Sequence, residues 1–244
     1  MILIQYFITT MVKQLLLNIN LNDQSNFENF YFTENALAVN TLKRFIHMQE
    51  NFIYLWCQQG VGKTHLLQAC CHRYQLKNRP MMYIPLKQHH NFSSDILKGL
   101  DQVDLVCLDD VDAALTQTAW AESLFHCYNA LHQSDKKLIV SAQTPPKHLC
   151  CTLLDLKSRY MQGLILSLQP LTDIEKFKAI HMRIKNRGLV INDDAIMFLI
   201  HHYPRNLKAL FHALDDLEEA SLRQQRRLTI PFIKRWLNYS TDSI

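Results

Sequence analysis

The stretch Cys57-Gln-Gln-Gly60-Val-Gly62-Lys63-Thr64 decides the fold of this chain. It follows an apolar run, Phe52 to Trp56, and opens a helical pattern that runs from Thr64 to Gln75. A strand, a glycine-bearing turn and a helix, with Lys-Thr at the end of the turn, form the layout of a phosphate-binding loop. Glycines let the backbone curl so that its N–H groups point at a phosphate, and the helix N-terminus adds partial positive charge.

The residue types in this loop predict a role for each of two side chains. Lys63 is expected near the β- and γ-phosphates, and the Thr64 hydroxyl is expected to bind Mg²⁺. Cys57 departs from the full motif, which has glycine there. The alternative is a chance glycine-rich turn, but the strand before it and the helix after it favour the phosphate loop.

A second motif is the apolar run Asp104-Leu-Val-Cys-Leu-Asp109-Asp110, which ends in two acids. Asp109 is expected to hold Mg²⁺ through water, and Asp110 could orient an attacking water. Paired acids at the end of a buried strand are costly unless a cation pairs with them. The alternative is a strand that simply ends in a polar turn.

The fold class follows from the alternation of apolar runs with amphipathic ones, which predicts a parallel sheet covered by helices on both faces. Besides Thr64–Gln75, a helix is expected over Ala119–His132, and another, containing Leu37, Leu42, Phe45 and Ile46, before the first strand. The predicted strands are Phe52–Trp56, Met81–Leu86, Asp104–Asp109, Lys137–Ala142 and Leu164–Leu168.

After Pro170 the pattern becomes wholly helical. Thr172-Asp-Ile-Glu175 predicts a capping box, and Gly188 suits the end of the helix that it starts. Three more helices are expected, over Asp193–His202, from Arg205 to about Ser221, and from Pro231 to about Asn238. The predicted division is an arm at 1–26, an α/β nucleotide domain at 27–170 and a small all-α lid domain at 171–244.

The composition of the chain excludes few classes of function. The chain has 244 residues, of which 48% are hydrophobic, and a net charge of +4, too weak to argue nucleic-acid binding by itself. Its seven cysteines include no CxxC pair, so we expect reduced core residues and not a zinc site or a disulfide framework. The twelve histidines show no metal spacing.

The N-terminal stretch is ambiguous. Residues 1–10 are too short for a membrane span and make a poor signal peptide, and either Met1 or Met11 could be the start. We therefore expect a cytoplasmic protein. The hexamer Gln14-Leu-Leu-Leu-Asn-Ile19 precedes a polar stretch, Asn20 to Asn26, that is typical of a linker. From the residues alone, the hexamer is either a peptide that docks in a partner's groove or a short strand.

From Phe27 to Leu237 the chain resembles the AAA+ module of the replication initiator DnaA and, more closely, the short Hda relatives that inactivate DnaA. Motifs that carry this resemblance include Phe27-Glu-Asn-Phe30, Tyr83-Ile-Pro-Leu86 and Leu168-Gln-Pro-Leu171. The narrower ones are Pro145-Pro146, Leu156-Lys-Ser-Arg159 and Leu228-Thr-Ile-Pro-Phe232. The sequence ends near where DnaA begins its duplex-binding domain, as Hda does. Hda also carries a peptide beginning Gln-Leu that binds the sliding clamp.

The resemblance implies a set of site residues. Arg159, which from the residues alone is an arginine after a helical segment, becomes an arginine finger that acts on a neighbouring subunit's ATP. Gln14, Leu15, Leu17 and Ile19 become contacts to the sliding clamp, the β subunit of DNA polymerase III. ADP or ATP, with Mg²⁺ on Thr64 and Asp109, is expected on Gly60, Val61, Gly62, Lys63, Thr64, His65, Asp109, Gln143 and Lys208.

Two further departures from the family lead us to expect weak hydrolysis of ATP by this chain. Gln143 stands where the family usually has aspartate, and Lys208 stands where it usually has arginine, whose planar fork lysine lacks. With Cys57, they suggest a site kept for binding, although Lys63, Thr64, Asp109 and Asp110 leave slow self-hydrolysis open.

The expected function is negative regulation of replication initiation through DnaA, with weak or no direct DNA contact, no membrane contact and homo-oligomerisation left open. The alternatives are a DNA-binding initiator paralogue or helicase loader, for which Arg223, Arg226 and Arg227 form a short basic cluster, and a plain NTPase.

Overall fold

The computed structural model describes residues 21–22, 25–204 and 206–241. The predicted clamp-binding residues Gln14, Leu15, Leu17 and Ile19 lie outside the described residues, as does Arg205, where the third lid helix was predicted to begin.

Five parallel strands form one sheet in the order β2-β3-β4-β1-β5. Because the strands are in parallel register, with Pro85 opposite Asp109 and Trp56 opposite Ala142, their carboxyl ends meet at one edge. The strands are β1 Phe52–Trp56, β2 Met81–Pro85, β3 Leu105–Asp109, β4 Lys137–Ala142 and β5 Leu164–Ser167. The predicted α/β class and all five predicted strands are confirmed, with β2, β3 and β5 each one residue shorter than predicted.

Helices cover the sheet and make up the C-terminal part of the chain. Within the described residues they are α1 Ala36–Arg44, α2 Lys63–Gln75, α3 Thr118–Gln133, α4 Leu154–Met161, α5 Asp173–Arg187, α6 Asp193–His202, α7 Leu207–Gln224 and α8 Ile230–Thr241. Leu37, which belongs to the apolar pattern that predicted α1, is 78% exposed, because α1 buries Ala38, Val39 and Leu42 instead.

The chain divides into two compact units. The first contains Leu37–Cys57 and Lys63–Leu168, together with the segment that ends at Phe27. The second contains Glu28–Ala36, Gln58–Gly62 and the chain from Gln169 onward. The division at 26/27 and 170/171 that the sequence suggested stays a prediction.

The core of the first unit lies on both faces of the sheet, and β3 and β4 are buried along their whole length. Continuous apolar strands are what a sheet covered on both faces requires. An aromatic group contributes to this core: the Tyr160 ring stacks on Phe52 at 5.5 Å and lies 5.7 Å from Tyr54 and 6.3 Å from Tyr128.

The second unit has its own core, formed by the inner faces of α5 to α8. The predicted capping box is present, because the Thr172 hydroxyl accepts from the Glu175 N–H and the Glu175 carboxylate accepts from the Thr172 N–H. Gly188 ends α5 in the left-handed conformation, also as predicted. Both features fix the ends of α5 through local chemistry.

In the described part of the chain, no helix is both long and apolar enough to cross a bilayer.

A buried lysine joins the start of β1 to β4. The Lys137 ammonium donates to the carbonyl oxygens of Met48 and Glu50 at 2.7 and 2.8 Å and to Asn51 Oδ1 at 2.5 Å. The side chain is 9% exposed and lies over the Phe45 ring. Burial lowers the pKa of Lys137. The ammonium therefore satisfies carbonyl groups that the turn before β1 leaves without backbone partners.

Replacing Lys137 by methionine keeps the apolar stem and removes all three hydrogen bonds. We expect Lys137→Met to lower the free energy of unfolding by about 2–3 kcal/mol, because buried acceptors lose their donor. Urea titration measures the change. The matched control is Lys136→Met, whose half-exposed ion pair with Asp104 should contribute less than about 1 kcal/mol. Equal losses from the two variants would contradict the role of Lys137.

Candidate functional site

The glycines of the loop occupy conformations that other residues rarely adopt. Gly60 has φ +85° and Gly62 has φ +116°. A Cβ on Gly62 would lie 2.6 Å from the Phe30 ring, and one on Gly60 would lie 3.0 Å from Cβ of Asn206. The loop therefore needs glycine at both positions for backbone conformation and for space.

Cys57 fits the entry to the loop without disturbing it. Its side chain is 1% exposed, its N–H donates to the Ala142 carbonyl at 3.2 Å, and its own carbonyl accepts from Lys63 Nζ at 3.1 Å. Burial raises the pKa of the Cys57 thiol to about 11. The departure from glycine therefore leaves the backbone contacts of this position available.

Lys63 and Asp110 bring opposite charges together beside β3. Lys63 is 6% exposed, and its Nζ lies 3.7 Å from Asp110 Oδ1. Asp110 has a left-handed backbone, φ 54° and ψ 54°, an uncommon conformation outside glycine. Burial raises the pKa of Asp110, Asp109 raises it further, and Lys63 opposes both effects. This strained turn aims a poorly solvated carboxyl group at the lysine.

Asp109 is the centre of the polar cluster. It is 3% exposed at the end of β3, and its Oδ2 accepts from the Thr64 hydroxyl at 2.6 Å and the Tyr83 hydroxyl at 2.8 Å. Its Oδ1 accepts from the Ser141 hydroxyl. Strands β2 and β4 and helix α2 thus each supply one donor to a carboxylate on β3.

Sequence reasoning did not assign a role to Ser141 or Tyr83. Ser141 is 0% exposed on β4 and also accepts from the Asp110 N–H at 2.9 Å, so one hydroxyl touches both acids. The sequence signal that could have identified Ser141 is that it is a single polar residue near the end of the otherwise apolar run Lys137–Ala142. Tyr83 had been noted only as part of a family motif.

The donor set at this edge suits Mg²⁺. The Thr64 hydroxyl and the Asp109 carboxylate are hard oxygen ligands that meet at one point. Within the described residues no group of three or more His, Cys, Asp and Glu side chains could hold a metal by itself. Mg²⁺ fits such a site because it usually binds through one or two protein oxygens, with phosphate and water completing the shell.

Two other predicted nucleotide residues make different contacts. The His65 ring Nε2 lies 2.7 Å from the Asn26 carbonyl oxygen, so His65 holds the backbone at Asn26. Gln143 is exposed immediately after β4, and its N–H donates to Asp112 Oδ2 at 3.3 Å. Val61 is half-buried in the loop. Their roles toward a nucleotide stay predictions.

Lys208 is the second residue of α7 and is exposed. It lies in the same compact unit as Gly60, whose closest side-chain neighbour is Asn206, the residue that caps α7. The loop is thus packed beside the helix end that carries Lys208.

Arg159 lies inside α4 and not after a helix, as the sequence had suggested. Its side chain is exposed, and within the described residues it forms no hydrogen bond or ion pair. Leu156 and Tyr160 of the same helix are buried and attach α4 to the core of the first unit. The structure brings together Lys63, Thr64, Asp109 and Asp110, and leaves the Arg159 guanidinium directed to solvent.

Two family models match the chain. Residues 21–167 match the bacterial DnaA ATPase domain, and residues 173–237 match the lid domain of Hda. The chain belongs to the DnaA-like AAA+ family. An uncharacterized protein of Haemophilus influenzae is 40% identical over 230 residues, covering 93% of this chain and 100% of the relative.

Solved structures of low sequence identity share the fold. Domain III of Thermotoga maritima DnaA superposes with a TM-score of 0.76 at 22% identity, over 88% of this chain and 95% of that one. AMPPCP-bound DnaA from Aquifex aeolicus gives 0.73 at 23%, over 91% and 71%. The Thermotoga maritima RuvB branch migration motor gives 0.64 at 16%, over 88% and 73%. The predicted AAA+ fold with a helical lid is confirmed.

Gly62→Ala tests the loop. A methyl group at φ +116° and 2.6 Å from Phe30 must displace the loop, so we expect nucleotide affinity to fall at least tenfold, about 1.4 kcal/mol. Fluorescent ADP titration measures it. The control is Gly99→Ala, at φ +71° with nothing within 4 Å, which carries similar backbone strain away from the site. Unchanged affinity in Gly62→Ala would refute a phosphate-binding role.

Ser141→Ala tests the residue that touches both acids. It removes one donor to Asp109 and one acceptor for the Asp110 N–H, so we expect Mg²⁺-dependent nucleotide affinity to fall about 10–100-fold. Isothermal titration with and without Mg²⁺ measures the loss. Ser134→Ala, at the exposed end of α3, is the control. A loss that is identical without Mg²⁺ would indicate general destabilisation instead.

Proposed function

We propose that this chain is an Hda-type regulator that stops re-initiation of replication by promoting hydrolysis of ATP bound to DnaA. The observation that carries the proposal is the pairing of a DnaA-type ATPase domain with an Hda-type lid in one chain. The exposed Arg159 and the polar cluster around Asp109 supply the chemistry that such a regulator needs.

The nucleotide of this chain has a structural role in the proposal. ADP with Mg²⁺ is held by the loop, with Lys63 beside the phosphates and Thr64 and Asp109 at the metal, which supplies charge neutralisation to the phosphate oxygens. Gln143 carries no charge to polarise a water, and Asp110 is partly neutralised by Lys63 at 3.7 Å. We therefore expect little turnover by the chain alone.

Catalysis is exerted on the partner through Arg159. Because Leu156 and Tyr160 are buried, α4 is fixed and the guanidinium projects without a competing partner from the described chain. A guanidinium inserted beside the γ-phosphate of a neighbour's ATP stabilises the charge that develops in the transition state. An arginine supplied in this way is worth roughly 10³ to 10⁵ in rate.

Exposed apolar side chains on α4 and on β5 support contact with another protein. Leu154 is 75% exposed and Met161 46% exposed on the same helix, and Ile165 on the edge strand β5 is 42% exposed. At helical spacing Leu154 and Met161 project from a different side of α4 than Arg159, so the exposed apolar side chains widen the surface that a partner could cover and do not ring the guanidinium. We infer that ATP-bound DnaA covers this surface.

The N-terminal arm makes stimulation of DnaA depend on a sliding clamp that is loaded on DNA. Gln14, Leu15, Leu17 and Ile19 are proposed to bind the sliding clamp, the β subunit of DNA polymerase III. The chain is fixed again at Asn22, whose carbonyl accepts from His72 Nε2 at 3.1 Å. Ile19 is three residues from that anchor, a span of at most about 10 Å. A tether this short raises the effective concentration of DnaA and regulator at a loaded clamp.

Arg159→Ala should abolish stimulation of DnaA-bound ATP hydrolysis, a loss of roughly 10³ or more, while ADP binding by the regulator stays within twofold. The measurement is single-turnover hydrolysis of ATP pre-bound to DnaA, with clamp-loaded DNA. Arg44→Ala removes an exposed arginine from α1 and is the matched control. Stimulation that survives Arg159→Ala would exclude the finger.

Gln14→Ala separates the tether from the finger in the same assay. Stimulation should fall with clamp-loaded DNA and be restored by raising the regulator concentration, because only effective concentration is lost. Gln5→Ala, also on the arm, is the control. If the wild type gives no stimulation with ADP and clamp present, the inactivator proposal fails and a DNA-binding initiator paralogue or helicase loader takes its place.

A further inference from the structure

A glycine lies between α4, which carries Arg159, and the edge strand β5. Gly163 is the second residue after α4, and Leu164, which follows it, pairs with Ile53 of β1 in parallel register. Gly163 therefore lies beside Phe52, the residue before Ile53. A Cβ on Gly163 would overlap Cδ1 of the Phe52 ring and would lie 2.6 Å from Cε1. The ring occupies the space that any larger residue at this position would need.

Space, and not backbone conformation, requires glycine at position 163. The glycines with positive φ are Gly60, Gly62, Gly99 and Gly188, so the φ of Gly163 lies outside the left-handed region. Phe52 is 7% exposed at the start of β1, where it pairs with Leu138 of β4. Because the sheet fixes the backbone of Phe52, a side chain at position 163 must displace the ring or the turn that contains Gly163.

Two tyrosines hold the Phe52 ring against Gly163. The ring stacks on Tyr160 with centroids 5.5 Å apart and meets Tyr128 edge-on at 5.1 Å. Tyr160 is 0% exposed and Tyr128 is 6% exposed, so neither ring has open space beside it. In a core packed this closely, the Phe52 ring moves only if Tyr160 moves with it. Tyr160 lies on α4, so the helix would move as well.

The helix α4 is short, so few side chains determine its rotation about its own axis. It has eight residues, of which Leu156 and Tyr160 are buried one turn apart. Arg159 precedes Tyr160 directly and is exposed. At a radius of roughly 6 Å from the helix axis, a rotation of about 20° displaces a side-chain group by about 2 Å. A misplacement of about 1 Å at a reacting centre can cost about 10²-fold in rate.

We propose that Gly163 is a positioning residue for Arg159. By leaving room for the Phe52 ring, Gly163 lets Phe52 stack on Tyr160, and this stack sets the direction in which α4 presents the guanidinium. All four residues lie in the first compact unit. The inference rests on the proposed function, in which Arg159 enters the ATP site of DnaA.

Gly163→Ala adds one methyl group and should separate catalysis from binding. In single-turnover hydrolysis of DnaA-bound ATP with clamp-loaded DNA, we expect the maximal rate at saturating regulator to fall about 30–100-fold. The regulator concentration that gives half of this rate should stay within about threefold, because the guanidinium acts in the transition state. An unchanged maximal rate, or a loss confined to the half-saturating concentration, would overturn the inference.

Phe52→Val tests whether the new methyl group acts through the ring. Valine lacks the ring carbons that a Cβ on Gly163 would meet, and it suits the start of a strand. In the Phe52→Val background, Gly163→Ala should lower the maximal rate by less than about threefold. A methyl group that destabilises the chain by another route would cost as much in either background, so equal losses would overturn the inference.

Gly99→Ala is the matched control in the same unit. Its methyl group would meet nothing within 4 Å, while its φ of +71° strains an alanine. This variant should unfold at lower urea concentration than the wild type and still give the full maximal rate. A fall in its maximal rate like that of Gly163→Ala would assign the effect to lost stability and would overturn the inference.

Two substitutions of Tyr160 separate its ring from its hydroxyl group. Tyr160→Leu removes the ring that stacks on Phe52 and should lower the maximal rate about tenfold. Tyr160→Phe keeps the ring and removes a buried hydroxyl that has no hydrogen-bond partner within the described residues, so its maximal rate should exceed that of Tyr160→Leu. Equal rates in the two variants would overturn the role of the stack.

Hydrogen exchange gives a readout that needs neither DnaA nor the clamp. In Gly163→Ala the amides of α4 should exchange about fivefold faster, while those of α2 and β3, which carry the nucleotide site, keep their wild-type rates. Unchanged exchange in α4, or equal acceleration in all three elements, would overturn the inference. If the wild type does not stimulate hydrolysis, the proposed function fails, and exchange in α4 still decides whether Gly163 positions this helix.

Discussion

A buried carboxylate at the carboxyl edge of a parallel sheet is the constraint on which this structure depends. Asp109 lies at the end of β3, almost without solvent, and must be compensated by donors or by a cation. Thr64, Tyr83 and Ser141 supply those donors from α2, β2 and β4. Satisfying one side chain therefore fixes the relative positions of three strands and the helix that follows the loop.

The same constraint explains how substitutions could lower the rate of ATP hydrolysis by this chain while the geometry around Asp109 is kept. Gln143 and Lys208 alter groups outside the donor set of Asp109, and Cys57 contributes through its backbone. Thr64, Tyr83 and Ser141, which hold Asp109 at the carboxyl edge of the sheet, are all present. The donor set of Asp109 is therefore independent of Arg159, which lies on a separate helix, α4.

Much of the fold was accessible from sequence because it rests on local signals. Continuous apolar runs located all five strands, and Thr172, Glu175 and Gly188 marked the ends of α5 by capping chemistry. The loop was recognisable because its glycines and its Lys-Thr pair are adjacent in sequence.

Features that depend on tertiary contacts were not accessible. Ser141 and Tyr83 are single polar groups in apolar strands, and only strand order brings them to Asp109. Leu37 fits a helical period, yet α1 presents neighbouring residues to the core. The polar stretch Asn20–Asn26 resembled a linker, although Asn22 and Asn26 bind α2 and Ser25 is buried, because backbone carbonyl groups leave no trace in composition.

The buried thiol of Cys57 has a consequence for chemical labelling. A thiol reacts as the thiolate, and burial raises the pKa of Cys57 to about 11, so little thiolate exists at neutral pH. Cys150 is exposed and should be alkylated at once, whereas Cys57 can react only when the entry to the loop opens. The slow alkylation of Cys57, resolved by peptide mapping from that of the buried Cys70, Cys71, Cys107 and Cys127, would then measure how often the entry to the loop opens.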